Sequence, residues 1–353
     1  MTNVSKAFRC VLLLLPLSIL TFSASAEDFH VGNVTAAPGQ LVSGFLEVPR
    51  GVDEGTNIPV TIAHGAQDGP VLALIAGVHG YEYPPITALQ ALRAEIDPLL
   101  LKGTIIMVHV ANMPSFMGRT IYYSPIDGKN LNRMFPGDPQ GSVSQRIAHL
   151  ITTQVIDQAD YLIDLHSGDG NEALRPYVYM PETGDPEFDA RIRGLAVAFG
   201  LDHIVIDTGP QHHSGPALFT DQTALLRGIP AITTETGQSG SNDAHWVALA
   251  TSGVRNVLRH LKMLPGEEIA NPGITWLSDY QVVSSPESGI FRPLTKDGYT
   301  VTEGATLGIL MDFFGNEITR IRAPFSGVVN YVISTPPVSK GEPVAMLSKI
   351  RRE

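Results

Sequence analysis

Nearly continuous apolar runs, rich in β-branched residues, recur through the middle of the chain and alternate with segments of helix length. Strands of a parallel sheet have this composition because helices cover both of their faces. The runs predict strands at 71–78, 104–112, 159–165, 203–207 and 229–235. The segments between them predict helices at 86–101, 144–157, 187–199 and 216–227. The predicted fold class is α/β, with a mixed, mostly parallel sheet flanked by helices and an antiparallel edge formed by residues 27–60.

The pattern changes near the segment MLPGEEIANPGITW, residues 263–276. Helical periodicity stops there, and short strand-like pieces separated by Gly and Pro follow. We therefore predict a main domain at 27–265 and a small all-β, barrel-like domain at 274–353. The tail resembles the half-barrels of biotinyl and lipoyl domains, but Gly315–Asn316 stands where those domains carry a modified lysine. We expect a structural barrel that packs against or narrows the mouth of a site in the main domain.

The first 26 residues have the features of an export signal. Lys6 and Arg9 precede an apolar stretch that ends in the small residues Ala24, Ser25 and Ala26. This arrangement predicts cleavage after Ala26 and a periplasmic or secreted protein. No later apolar run approaches the ~20 residues that a membrane span needs, so we expect no membrane association after the signal is removed.

Charge and cysteine content narrow the functional classes. The formal net charge is −11, and loss of Lys6 and Arg9 with the signal would make it −13. So acidic a protein is a poor candidate for binding nucleic acid or anionic membranes, because these bind to clustered Lys and Arg side chains. The single cysteine, Cys10, lies in the predicted signal. The mature chain would therefore have no disulfide, no thiolate metal ligand and no cysteine nucleophile.

Polar residues follow several of the predicted strands at the point where each strand ends. His79 and Glu82 lie in the turn GVHGYE, His166 lies in DLHSGD, and Glu235 lies in TTETG. A further polar segment, NLNRMFPG at 130–137, belongs to the loop after the 104–112 strand. Ligands of open α/β sheets bind outside the carboxyl ends of the strands, so these side chains should converge.

Two histidines and one carboxylate form the three-ligand zinc set of thermolysin and carboxypeptidase A, with a fourth position left open. We predict that His79, Glu82 and His166 bind one Zn²⁺ per chain. A histidine and a glutamate three residues apart in a loop are, taken alone, more often solvated or hydrogen-bonded to each other. The matching polar segments at the other strand ends favour the metal site.

Zinc catalysis of amide hydrolysis also needs a general base, and Glu235 is the candidate. Arg119 is a candidate for stabilising an oxyanion, and Asn132 with Arg133 for binding a substrate carboxylate. Each of these residues has an alternative structural role. Glu235 could pair with a helix or an arginine, Arg133 could pair with an acid such as Asp127 or Asp138, and for Arg119 the structural and functional roles are equally supported.

The motifs GVHGYE, NLNRMFPG, DLHSG and TETG, in this order, resemble the succinylglutamate desuccinylase/aspartoacylase family over roughly residues 60–240. The resemblance implies the zinc-carboxypeptidase fold, zinc on His79, Glu82 and His166, Glu235 as general base, and a substrate carboxylate held by the Asn132–Arg133 pair. The sequence departs from the family in two places. Tyr81 stands where the family commonly has Asn, and Arg119 lies farther before the Asn-Arg pair than the family's oxyanion arginine does.

The function predicted from these residues is that of an exported zinc-dependent amidohydrolase, a deacylase acting on a small N-acyl amino acid or similar carboxylated amide. Two alternatives stay open: a zinc carboxypeptidase acting on peptides or cell-wall fragments, and a noncatalytic binding protein with the same fold. The expected partner is the small carboxylated amide, with no nucleic acid. Self-association into a homo-oligomer also stays open.

Overall fold

The structure, a computed structural model, describes residues 1–2, 27–209 and 217–351. Residues 3–26, which make up nearly all of the predicted export signal, lie outside the described residues. The α-helices of the described residues are α1 (Tyr83–Glu95), α2 (Met113–Gly118), α3 (Val143–Gln154), α4 (Pro186–Phe199), α5 (Thr220–Leu225) and α6 (Ala244–His260). Two 3₁₀ turns lie at Leu131–Arg133 and Ile156–Gln158.

Strands occupy most of the remaining chain. Those before α6 are β1 (Phe29–Val31), β2 (Val34–Ala36), β3 (Gln40–Val48), β4 (Thr56–His64), β5 (Gln67–Ala76), β6 (Lys102–Val108), β7 (Tyr161–His166), β8 (Glu172–Leu174), β9 (Tyr177–Pro181), β10 (His203–Asp207) and β11 (Ala231–Glu235). Those after α6 are β12 (Thr275–Ser284), β13 (Gly289–Pro293), β14 (Thr300–Val301), β15 (Thr306–Met311), β16 (Glu317–Arg322), β17 (Gly327–Ile333), β18 (Pro337–Val338) and β19 (Pro343–Ile350).

The main sheet is mixed and has the order β14-β17-β19-β12-β10-β9-β11-β7-β5-β6-β4-β3, with β8 added alongside β17. Five of the six neighbouring pairs from β12 to β6 are parallel, and the β9–β11 pair is antiparallel. Strands β3 and β4 form the antiparallel edge that the sequence predicts. The predicted α/β class and the mixed sheet are thus confirmed.

The predicted elements match the observed ones closely, and the largest difference lies in α1. This helix spans Tyr83–Glu95 instead of 86–101. It begins early because Pro84 and Pro85 fit the first turn, where a missing N–H has no partner to lose. It ends early because Pro98 disfavours helical backbone at the residue before it.

Residues 274–351 contain strands and no helix, as predicted, but their strands do not form a separate sheet throughout. A four-stranded sheet has the order β16-β15-β13-β18. Strand β12, in contrast, joins the main sheet through a parallel pair with β10 and joins the tail through an antiparallel pair with β19. The tail has its own buried apolar cluster, which includes Phe291, Leu307, Leu310 and Val344. The division into domains at residue 274 stays a prediction.

The central strands bring the predicted site residues to one edge of the sheet. In the parallel pairs, Ala76 of β5 lies beside Leu165 of β7, and His166 lies beside Glu235 of β11. Residues such as Leu74 and Ile163 are fully buried beneath this edge, in a core that the helices cover. The carboxyl ends of three neighbouring strands are therefore aligned. Among the described residues, no helix has both the length and the apolar character to cross a membrane.

Candidate active site

The turn between β5 and α1 presents His79 and Glu82. Glu82 is the residue that precedes α1, and its side chain makes no capping hydrogen bond to that helix. Its carboxylate is therefore free to face the histidines. Gly80, between them, allows α2 to pack closely against the turn. A Cβ atom at this glycine would lie 2.0 Å from the backbone nitrogen of Phe116, so no other residue fits.

The structure brings His79, Glu82 and His166 together, as the sequence predicts. Glu82 Oε1 lies 2.7 Å from His79 Nδ1, and Glu82 Oε2 lies 2.8 Å from His166 Nδ1. The three ligand atoms lie within 4.8 Å of one another. Exposure is 9% for His79 and 3% for Glu82 and His166. The group forms a compact, nearly dry cluster.

The second nitrogen of each imidazole faces a different polar group. His79 Nε2 is hydrogen-bonded to Asn130 Oδ1 at 3.1 Å, and His166 Nε2 lies 3.1 Å from Asp164 Oδ2. A proton on each Nε2 would leave both Nδ1 lone pairs directed at the position between the rings. Partners of this kind orient metal-binding histidines and select their tautomer. The Nδ1 atoms are therefore the nitrogens that could ligate a metal ion here.

The electrostatics of the cluster favour a cation. Burial alone would raise the pKa of Glu82, but His166 and His79 outweigh it and lower the pKa to about 2. Burial would lower the pKa of His166, yet Asp164 and Glu82 raise it well above its ordinary value. The site thus stabilises positive charge between one carboxylate and two imidazoles. A divalent metal ion would take the place of these protons, and the nitrogen and oxygen donors suit zinc.

Glu235 lies at the end of β11, next to His166 on one side and Tyr177 of β9 on the other. Its Oε2 atom is buried and has no hydrogen-bond partner among the residues that the structure describes. Burial and the charge of Glu82 raise the pKa of Glu235 well above its ordinary value. The alternative role for Glu235, an ion pair with an arginine, is not found within the described part of the chain. Its position beside His166 fits a proton acceptor next to the predicted metal ligands.

Asn132 and Arg133 lie in a 3₁₀ turn of the loop before α3. Asn132 Oδ1 accepts hydrogen bonds from the backbone nitrogen of Thr220, at 3.2 Å, and from its hydroxyl, at 3.3 Å. This contact holds the turn against α5. The guanidinium of Arg133 lies 4.6 Å from the centre of the Phe219 ring, and its Nη1 donates to the Asn132 carbonyl.

Arg133 forms no ion pair within residues 27–209 and 217–351. The acids proposed as alternative partners have other roles. Asp127 accepts hydrogen bonds from the backbone and hydroxyl of Ser144 at the start of α3, and Asp138 accepts one from the backbone of Gln140. Because no described carboxylate pairs with it, the Arg133 guanidinium is available to bind an anion.

Arg119 ends α2 with left-handed backbone, at a φ of 51°. Its side chain is exposed, and its charge acts on the nearby Tyr83, where it partly opposes the rise in that pKa caused by burial. It forms no ion pair with any described residue. The oxyanion role of Arg119 stays a prediction.

Two side chains of the site, Asn130 and Tyr122, are not among the predicted site residues. Asn130 was seen only as part of the NLNR motif, but its Oδ1 contacts His79 and also accepts the backbone N–H of Asn132 at 2.8 Å. Tyr122 packs its ring edge-on against His79, with the ring centres 5.7 Å apart. Position in the motif could have indicated Asn130. The sequence alone does not distinguish a wall of the cleft from the core for Tyr122, and the structure shows its contact with His79.

The fold and this site define an amide-bond hydrolase class, and comparison with known proteins shows the family. The model of the succinylglutamate desuccinylase/aspartoacylase catalytic domain matches residues 68–261, a range that contains every predicted site residue. The chain belongs to this family. The predicted family and the predicted enzyme class, a deacylase that hydrolyses amide bonds, are confirmed.

Individual relatives are similar to this protein in sequence and in fold over nearly the whole chain. The Nα-acetyl-L-2,4-diaminobutyric acid deacetylase of Halomonas elongata is 30% identical over 318 residues, which cover 87% of this chain and 91% of that protein. The product-bound structure of the ectoine utilization protein EutE (DoeB) from Ruegeria pomeroyi is 29% identical, with a TM-score of 0.79, and covers 88% of this chain and 95% of that one. A succinylglutamate desuccinylase structure from Silicibacter sp. TM1040 is 27% identical, with a TM-score of 0.80, and covers 92% and 100%.

The metal site can be tested by its metal content. Purified protein should contain about one zinc per chain, and His166→Ala should lose most of it because two ligands hold zinc poorly. Metal analysis after gel filtration measures this. His260→Ala serves as the matched control, since it removes a half-exposed histidine paired with Glu268 at the end of α6. Normal zinc content in His166→Ala would refute the ligand assignment.

Proposed function

We propose that this protein is an exported, zinc-dependent deacylase that removes the acyl group from a small N-acyl amino acid. The observation that carries the proposal is the buried Glu82 carboxylate between two imidazole Nδ1 atoms, with Glu235 on the adjacent strand. His79, Glu82 and His166 would hold the zinc ion. Bound there, zinc would act as a Lewis acid for the substrate carbonyl and lower the pKa of water.

The chain's own residues supply the proton transfers. Glu235 would accept a proton from the attacking water and return it to the leaving amine. Burial and the charge of Glu82 raise the pKa of Glu235, and a cation beside Glu82 would oppose that rise. A base whose pKa lies near the working pH transfers protons most efficiently.

The substrate carboxylate is assigned to Arg133. A planar guanidinium binds a carboxylate through two parallel hydrogen bonds, and no described carboxylate occupies it. Phe219 lies against the guanidinium and limits its orientation. Asn132 holds the same turn through Thr220, so the cation has a defined position. The named activity of the Halomonas elongata relative, on an acetylated amino acid, supports a substrate of this size.

Export is proposed from the N-terminal sequence alone. Two basic residues, an apolar stretch and the small residues before position 27 have the order of a cleaved signal. Expression in a Gram-negative host, followed by fractionation and N-terminal sequencing, tests this. Recovery of full-length protein in the cytoplasm would contradict it.

The activity is tested by a hydrolysis screen with and without zinc. N-acetyl, N-formyl and N-succinyl amino acids, including Nα-acetyl-2,4-diaminobutyrate, are compared with short peptides. We expect zinc-dependent release of the free amino acid from at least one small N-acyl amino acid. Preferential cleavage of peptides would indicate a carboxypeptidase instead. Zinc and ligand binding without turnover would indicate a binding protein.

Arg133→Lys should weaken carboxylated substrates far more than analogues in which that carboxylate is amidated. Lysine keeps the charge but loses the two-point geometry of the guanidinium. The ratio of kcat/KM for the two substrates, in both enzymes, is the measurement. The amidated analogue is the internal control. Equal losses on both substrates would show that Arg133 supports the loop or the oxyanion.

Glu235→Gln should keep its zinc, its fold and much of its substrate affinity. The amide is nearly isosteric with the carboxylate but cannot accept the proton. Turnover should therefore fall by the ~10²–10⁴-fold that a positioned base contributes. Assays of product formation measure turnover, and metal analysis measures zinc content, so a loss of catalysis is distinguished from a loss of metal. Loss of zinc would make Glu235 a ligand, and near-normal turnover would assign the base role to another carboxylate.

A further inference from the structure

Glu172 lies in β8, and both of its carboxylate oxygens accept hydrogen bonds. Oε1 lies 2.8 Å from the hydroxyl of Tyr122, and Oε2 accepts the backbone N–H of Asp169 at 3.1 Å. Its carbonyl oxygen accepts the N–H of Ser239 at 2.7 Å. One residue thus joins three loops that surround the site.

Tyr122 is held in a conformation that it would not adopt unaided. Its φ is 57°, in the left-handed region that side chains other than glycine rarely occupy. Its backbone N–H donates to Asp169 Oδ2 at 3.0 Å, and its hydroxyl also lies 2.8 Å from Asn171 Oδ1. Strained backbone of this kind persists only where surrounding contacts enforce it. Here the contacts come from the segment 169–172.

The enforced conformation places the Tyr122 ring against a metal ligand. The rings of Tyr122 and His79 meet edge to face, with an angle of 82° between their planes. On its other sides, His79 contacts Glu82 through Nδ1 and Asn130 through Nε2. The hydrogen bonds set the direction of the ring nitrogens, and the Tyr122 ring limits sideways movement of the imidazole.

The C-terminal strands support this arrangement from outside. Glu172 pairs with Ile333 of β17, and the backbone N–H of Ser334 donates to the Asn171 carbonyl at 2.8 Å. The position of Glu172 is therefore set by the tail as well as by the main domain.

We propose that Glu172 is a positioning residue for the metal ligand His79, acting through the hydroxyl and ring of Tyr122. The inference rests on the proposed metal site. It assigns a role to a carboxylate that neither binds the metal nor transfers the catalytic proton. Loss of the contact between Glu172 and Tyr122 would let the backbone of Tyr122 relax and would free the His79 ring on one side.

Two substitutions test the pair. Tyr122→Phe removes the hydroxyl and keeps the ring. Glu172→Met keeps much of the length of the side chain, but its thioether is at most a weak acceptor, so the hydrogen bonds from Tyr122 and Asp169 are lost. Each variant should bind Zn²⁺ about 10-fold more weakly, the lower end of the effect of removing a residue that supports a metal ligand. The double variant should lose little more than either single one, because both changes break the same contact.

Zn²⁺ affinity is measured by competition with a chromophoric chelator, alongside thermal unfolding, kcat and KM. Tyr161→Phe is the matched control, since it removes a tyrosine hydroxyl at the opposite end of the strand that carries His166. We expect kcat at subsaturating zinc to fall in step with zinc affinity, while KM changes little.

Unchanged zinc affinity in both variants, with or without a lower unfolding temperature, would overturn the positioning role and leave the proposed function intact. Fully additive losses in the double variant would also overturn it, because Glu172 would then not act through Tyr122. A wild-type protein that binds no zinc would overturn both this inference and the proposed metal site.

Discussion

The carboxylate of Glu82 is buried at the edge of the sheet, and much of the surrounding structure serves to keep it there. A buried charge is costly unless it is paired and hydrogen-bonded. The pairing comes from His79 and His166, which approach from different strands. Strands β5 and β7 must therefore be neighbours with aligned carboxyl ends, and the parallel register of the sheet meets this condition. A metal ion would complete the same charge balance.

The loops around this charge are linked to one another. Asn130 Oδ1 contacts the ring of His79 and also accepts the backbone N–H of Asn132, next to Arg133. A single oxygen atom therefore connects a proposed metal ligand to the turn that carries the proposed carboxylate-binding residue. Glu172 connects the loops of Tyr122, Asp169 and Ser239 in the same way. The side chains of the site therefore lie on loops that are hydrogen-bonded to one another through shared residues.

The tail takes part in this positioning. Strand β17 pairs with β8, which carries Glu172, and β12 continues the main sheet. C-terminal residues therefore help to position side chains of the site. A small buried cluster that includes Tyr177, Tyr331 and Met346 fills the junction between the two parts. Tyr177 is also the neighbour of Glu235 across the antiparallel pair of β9 and β11. Packing of the tail and placement of the candidate base are thus connected.

The sequence by itself predicted the α/β class, the central strands, four of the six α-helices of the described residues, and the group of site residues that the structure brings together. These depend on local periodicity and on the rule that parallel strands place their carboxyl ends together, so His79, Glu82, His166 and Glu235 could be assigned from position alone. Only the tertiary structure decided the antiparallel insertion of β9, the continuation of the sheet into the tail, and the contact of Tyr122 with His79. Such features depend on how distant loops and edges pack, and residues about 40 or more positions apart leave no periodic signal in the chain.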